Sequence, residues 1–212
     1  TQTLPPNKSL IGSFGTHDDV SIMNHGGVTY TNQVSGVQAA LPMLNPYYFD
    51  GYQSGDYYIY DFEHQTDDET NTDSNECTVH HSKPDIFNFS RPLRGKHPEI
   101  GDFMKNTLEV RNNPLYHDIL TKGSFIPLKT DNGDNDQILA FARHYRGKTL
   151  VLIANKDVNS PQSGSIEIPG LKETQSLKNL YRPYGEKSVF QADTGRINAE
   201  LGRGRVHLFE VD

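Results

Sequence analysis

The chain has 212 residues, room for one large domain or two modest ones and enough for a sizeable core. Twenty Lys and Arg against 27 Asp and Glu give a formal charge of −7 with no basic cluster, the wrong sign for a nucleic-acid surface, and no apolar run nears the ~20 residues of a membrane-spanning helix. A single cysteine, Cys77, excludes an internal disulfide and a thiolate zinc cage, and leaves the compartment open. The chain starts Thr1-Gln2 with no charged head before an apolar stretch, which reads as a product of processing or a piece of a longer polypeptide.

In chain order, Ser9 to Gly15 is a short apolar run with glycines and reads as a buried strand that ends in Thr16-His17-Asp18-Asp19. Val34, Val37, Ala40 and Leu41 fall at helical spacing, closed by Pro42, so the spacing predicts a helix over 31–41. Asn45 to Tyr52, rich in aromatics and leading to a glycine, reads as a second strand, and the three pieces make a βαβ pattern. Residues 61–85 lose their aliphatic side chains to Asp, Glu, Thr, Asn and Ser and read as a long polar loop. Helical periodicity returns at Ile100, Phe103, Met104, Leu108 and Val110, with Asn112-Asn113-Pro114 as a stop, giving a helix over 99–112.

After about Ser124 the pattern turns to strands, at Ile138–Arg143, Thr149–Ala154, Ser165–Ile168 and Val206–Val211, with turn clusters such as Arg146-Gly147-Lys148 between them. This spacing suggests an antiparallel β-sandwich. The chain is therefore divided into residues 1–122, an α/β part that includes the polar loop 61–98, and residues 123–212, an all-β part.

Four passages, in this order, resemble the α-amylase family of glycoside hydrolases from its seventh barrel strand to its C-terminus. Ser13-Phe14-Gly15-Thr16-His17-Asp18 is similar to the family's last conserved region, with Thr16 where Asn is usual. Leu41-Pro42 followed by Pro46-Tyr47-Tyr48-Phe49-Asp50-Gly51 resembles the eighth strand, with Met43 in place of a glycine and one residue inserted. Leu108 to Leu115 resembles the closing helix, and Ile138–Arg143 with Leu150–Asn155 the first strands of the C-terminal β domain. The resemblance implies the last part of a (β/α)8 TIM barrel followed by an antiparallel β-sandwich domain.

A retaining glycosidase needs a carboxylate nucleophile and a carboxylic acid about 5–5.5 Å apart. In this family they come from the fourth and fifth barrel strands, within passages that carry an Arg two residues before an Asp, and a Glu; neither passage occurs in this sequence. By resemblance, Asp18 is the third carboxylate, bonding the 2- and 3-hydroxyls of the sugar being cleaved, and His17 binds the same sugar. The residues alone also allow a simpler role, His17-Asp18 capping a local turn. The implied activity is that of a hydrolase or transglycosylase on α-1,4-glucans such as starch or maltooligosaccharides, with the 212-residue chain alone inactive. A non-catalytic glycan-binding or scaffold fragment is the alternative. Partners expected are the α-glucan and either the remainder of the barrel or a second copy of the chain; neither nucleic acid nor membrane is expected.

No cofactor is expected. The acidic stretch Asp67-Asp68-Glu69 with Asp73 and Glu76 could offer oxygens to Ca²⁺, but spells out no loop geometry for it. His64, Cys77, His80 and His81 lack the spacing of a zinc site. Asp131 to Asp136 reads as a hairpin turn, and Val20 to His25 as a polar loop over the active-site face. Of the tyrosines, Tyr47 and Tyr48 fall in the strand and are expected mostly in the core. Tyr52, Tyr57, Tyr58 and Tyr60 lie beyond it, where they could stack on sugars or simply pack.

Overall fold

The computed structural model describes residues 9–15, 21–42, 44–49, 51–55, 96–131, 133, 136–168, 171–172 and 177–211. Strands β1 (Leu10–Gly12) and β2 (Leu44–Pro46) pair in parallel, Leu10 opposite Leu44 and Gly12 opposite Pro46, with helix α1 (Met23–Ala40) between them in sequence. Gly12 lets the Leu44 side chain lie against the first strand, since a Cβ there would come within 2.1 Å of its terminal methyl and push it aside. The second strand stops well short of Tyr52. Pro46 has no N–H to continue a ladder, and the chain turns through Gly51 and Gly55, both at positive φ, around a short 3₁₀ turn at Tyr52–Ser54.

Helix α1 begins earlier than its apolar spacing predicts. Ser21 to His25 do not form a loop over the strand ends: Ile22 is buried against Val34, Ile100 and Met104, and Met23 opens the helix. The regular helix follows a break at Gly26-Gly27, where Gly27 has a φ of 61°. Its polar side chains are buried as fully as its apolar ones, which is why its periodicity is weak. Tyr181 Oη donates to Gly36 O at 2.9 Å, Gln33 Nε2 donates to Asn155 O, and a Cβ on Gly36 would come within 2.5 Å of Val206. The helix is thus wedged between the parallel pair and the neighbouring sheet.

Helix α2 (Pro98–Asn112) matches the expected 99–112 and its Asn112-Asn113-Pro114 stop; Pro98 stands at its first turn, Glu99 beside the N-terminus and Arg111 near the C-terminus. Helix α3 (His117–Lys122) is too short to show periodicity and was not anticipated. The rest of the chain forms β3 (Ser124–Pro127), β4 (Thr130–Asp131), β5 (Ile138–Tyr145), β6 (Lys148–Asn155), β7 (Gln162–Glu167), β8 (Leu177–Asn179), β9 (Val189–Asp193), β10 (Arg196–Leu201) and β11 (Val206–Val211).

These strands make two antiparallel sheets, of order β3-β5-β6-β11-β8 and β4-β7-β10-β9. β5 and β6 are joined by Arg146-Gly147, both at positive φ, the two-residue turn that matches strand twist. β4 pairs with β7 in the smaller sheet while β5 pairs with β3 and β6 in the larger, so β4 and β5, joined in sequence by Asp131 to Asp136, are not paired as a hairpin. Ala140, Val151 and Ile153 of the larger sheet meet Ile166, Ile197 and Leu201 of the smaller in one apolar cluster. The outer face of the larger sheet, through Phe141, Leu152 and Leu208, buries Phe103, Val110, Ile119 and Leu120 of α2 and α3. Among the described residues there are three sheets and no closed barrel.

Candidate functional site

Parallel strands fed by helices present their carboxyl ends as the natural site for chemistry. Here that edge is where β1 runs into Ser13-Phe14-Gly15 and β2 into Tyr47-Tyr48-Phe49. Gln38, fully buried on α1, locks the two ends together: its Nε2 donates to Gly12 O at 2.9 Å and to Tyr47 O at 3.0 Å, while Tyr47 N donates to Gly12 O at 3.0 Å. Beyond Gly12 the Ser13 hydroxyl donates to Gly15 O at 2.5 Å, a tight local turn that sets the direction in which the chain leaves the strand. The arrangement therefore fixes the backbone from Gly12 to Gly15.

Behind the strand ends the surroundings are cationic and phenolic. Arg111, 7% exposed, donates from Nη1 to Ala39 O at 2.5 Å and from Nη2 to Leu44 O, so the end of α2 fastens the end of α1 to the start of β2. Ala39 O is one of the last carbonyls of α1, where a cation also meets the negative end of the helix dipole. Burial lowers the Arg111 pKa, with Tyr181 and Tyr48 opposing. Tyr48 is pushed up to about 12 by burial, with Arg111 pulling the other way. Tyr52 is raised by burial as well; its hydroxyl donates to Thr31 O at 3.2 Å and lies 3.3 Å from Ser35 Oγ. These phenols stay protonated at neutral pH and act as donors and packing groups. Two buried atoms near the strand ends, Gln38 Oε1 and Tyr48 Oη, have no hydrogen-bond partner among the described residues.

His17 and Asp18, with Thr16, lie outside the described residues, between Gly15 and Ser21. So do the acidic stretch Asp67 to Glu76, His64, Cys77, His80, His81, Tyr57, Tyr58 and Tyr60. Among the described residues no group of three or more His, Cys, Asp and Glu side chains converges on a common point that could hold a metal ion. Of the two roles open to Tyr52 the structure shows packing: it is 8% exposed and edge-on to Tyr48 at 5.3 Å, while Tyr47, on a strand whose tyrosines are expected mostly in the core, is 40% exposed beside the strand ends. Gln38 was missed in the sequence because a glutamine carries no apolar signal. The clue available was its place four residues before the Pro42 stop, on the side of the helix that follows Val34.

The sequence matches no protein-family model and no curated protein. Solved structures do match in fold, and those compared are enzymes of the α-amylase family. An Anoxybacillus α-amylase is 16% identical with a TM-score of 0.62, the match covering 96% of this chain and 38% of that one. A maltogenic α-amylase from Thermotoga neapolitana is 10% identical with a TM-score of 0.66, covering 98% and 42%. A debranching enzyme from Nostoc punctiforme is 16% identical with a TM-score of 0.63, covering 95% and 35%. At these identities the likeness is one of fold, and this chain spans well under half the length of each.

Proposed function

We propose that this chain is the C-terminal portion of an α-amylase-like glycoside hydrolase or transglycosylase acting on α-1,4-glucans by a retaining mechanism. The observation that carries the reading is the conjunction of two features. The fold of nearly the whole chain is shared with part of α-amylase-family enzymes. And the strand that precedes Thr16-His17-Asp18 has its end held in register by Gln38. In this reading residues 1–122 complete a catalytic barrel and residues 123–212 form a C-terminal β-sandwich domain packed against it.

Asp18 then stands at the carboxyl end of a barrel strand and bonds the 2- and 3-hydroxyls of the sugar undergoing cleavage, contacts that tighten as the ring flattens towards the oxocarbenium ion. His17 donates to a hydroxyl of the same sugar. The nucleophile and the general acid come from residues outside this chain, so a glycosyl-enzyme intermediate forms only in the longer polypeptide. Leu10, Ile11 and Phe14, at 57%, 79% and 49% exposed, supply the apolar edge that the remainder of the barrel, or a second copy, covers.

The test is an assay on maltooligosaccharides of the native-length polypeptide beside the 212-residue chain. Turnover by the long form, with the product's anomeric configuration retained by NMR, and none by the short one is the expected result. Turnover by the short chain at full mass, or an inverted product from the long one, contradicts it.

A further inference from the structure

At one end of the two antiparallel sheets the edge strands β8 and β9, from opposite layers, leave a cavity of about 570 Å³ lined by Asn179, Lys187, Ser188, Phe190, Arg205 and His207 among others. Its hydrogen-bonding polarity follows from the backbone outward. Tyr181 N donates to Asn179 Oδ1 at 3.3 Å, which orients the amide with its Nδ2 towards His207 Nδ1 at 3.0 Å. Nδ1 is therefore an acceptor, and the single proton of the neutral ring sits on Nε2. Burial, with the charge of Arg205 adding, pulls His207 down to about 3, so the ring is neutral at physiological pH. Nε2 then donates to Ser188 Oγ at 3.0 Å, which also accepts from Gly202 N at 3.1 Å. With both lone pairs used, the Ser188 hydroxyl keeps its own proton to donate into the cavity.

Arg205 strengthens that bias. It is 3% exposed, and among the described residues no carboxylate pairs with it, its Nε has no hydrogen-bond partner, and the charge-accommodating contact is the face of Tyr184, 4.5 Å from Cζ to the ring centroid. A buried guanidinium without an anion is costly, and a cation–π contact offsets only part of that cost. The exposed Lys187 adds a second cation at the rim, and among the described residues no Asp or Glu lines the cavity, on a chain whose net charge is −7. Phe190 and Phe209, the latter stacked on His207 at an interplanar angle of 13°, give the cavity an apolar wall.

We propose that this cavity binds a small organic anion, its phosphate or carboxylate oxygens held by Ser188, Lys187 and Arg205 and its apolar part laid against Phe190. A neutral sugar is a poorer fit, since the described lining offers donors and cations without a carboxylate to accept from hydroxyl groups. The site is separate from the carboxyl ends of β1 and β2 and does not depend on the glucan reading.

The experiment is calorimetric titration of the protein with phenyl phosphate, benzoate, inorganic phosphate and benzyl alcohol. One of the two aromatic anions should saturate a single site with a Kd on the order of 1 mM or lower, the tighter of them naming the anionic group, and benzyl alcohol should give no saturable heat. Arg205 variants risk unfolding the protein, so the exposed Lys187→Gln and the hydroxyl deletion Ser188→Ala are used. The first should weaken binding about threefold and the second about fivefold. No saturation by either aromatic anion up to about 10 mM, affinity unchanged in either variant, or equal binding of benzyl alcohol overturns the proposal.

Discussion

In strand β6 five successive side chains, Leu150 to Ala154, are each no more than 1% exposed, whereas in β1 Leu10 is 57% and Ile11 79% exposed. Both runs are apolar, and the difference lies in their neighbours. β6 has a strand on each side, helices over one face and a second sheet over the other. β1 has β2 on one side and α1 behind it. Parallel strands in folded proteins are normally covered on both faces. The antiparallel part therefore carries its own core, while the parallel pair, which leads into Asp18, is shaped for contacts that the described residues do not supply.

That contrast can be broken by mutation. Leu152→Ala, in the middle of the buried run, should cost about 2–5 kcal/mol in chemical denaturation. A loss below about 1 kcal/mol would mean that the sheet interface is looser than its burial indicates. Gly204→Ala probes the join between the two regions, because Gly204 has a φ of 56° and an added Cβ would come within 2.4 Å of Thr29 on α1. A loss of about 1–3 kcal/mol is expected, and an unchanged melting temperature would detach α1 from the β10–β11 turn.

His207 gives the antiparallel part a pH signature. Its folded pKa, about 3, lies below its ordinary value of 6.5, so between those values the unfolded chain binds the extra proton and stability falls as the pH is lowered from 6.5 towards 3. His207→Gln should remove up to about 1.4 kcal/mol of that loss for each pH unit. Parallel acid-unfolding curves for the two proteins would refute a neutral buried imidazole. Smallest of all, Ile11→Ser should change the stability of the 212-residue chain by less than about 0.5 kcal/mol. In the native-length polypeptide the same change should be clearly destabilising, and equal effects in both would remove the idea that β1 is covered there.

The strands most readable from sequence were those with continuous apolar runs, β5, β6 and β11. The helix most readable is α2, through the spacing of Ile100, Phe103, Met104, Leu108 and Val110 and the Asn112-Asn113-Pro114 stop. β8, β9 and β10 were missed because edge and half-exposed strands such as Val189–Asp193 alternate with polar residues over too few positions. The spacing places the start of α1 at 31, eight residues late, because its first turns hold Asn24, His25 and the break at Gly26-Gly27, which carry no helical apolar pattern, while Gln33 and Gln38 are buried through tertiary hydrogen bonds that no local pattern records. At the candidate site, the run Ser13 to Asp18 carries the resemblance in sequence, and the structure describes it as far as Gly15. Its support by Gln38 and Arg111 was not legible, since each reaches backbone carbonyls on other elements. The Asn179–His207–Ser188 chain was invisible for the same reason, its members lying on β8, on β11 and in the segment before β9.

The account rests most heavily on Asp18 as the carboxylate that stabilises the transition state, and the direct measurement is steady-state kinetics of Asp18→Asn in the native-length polypeptide on maltooligosaccharides. A fall in kcat of about 100-fold or more with KM little changed is the predicted result, as for a contact made chiefly in the transition state. An unchanged kcat would remove Asp18 from the site and leave only the shared fold.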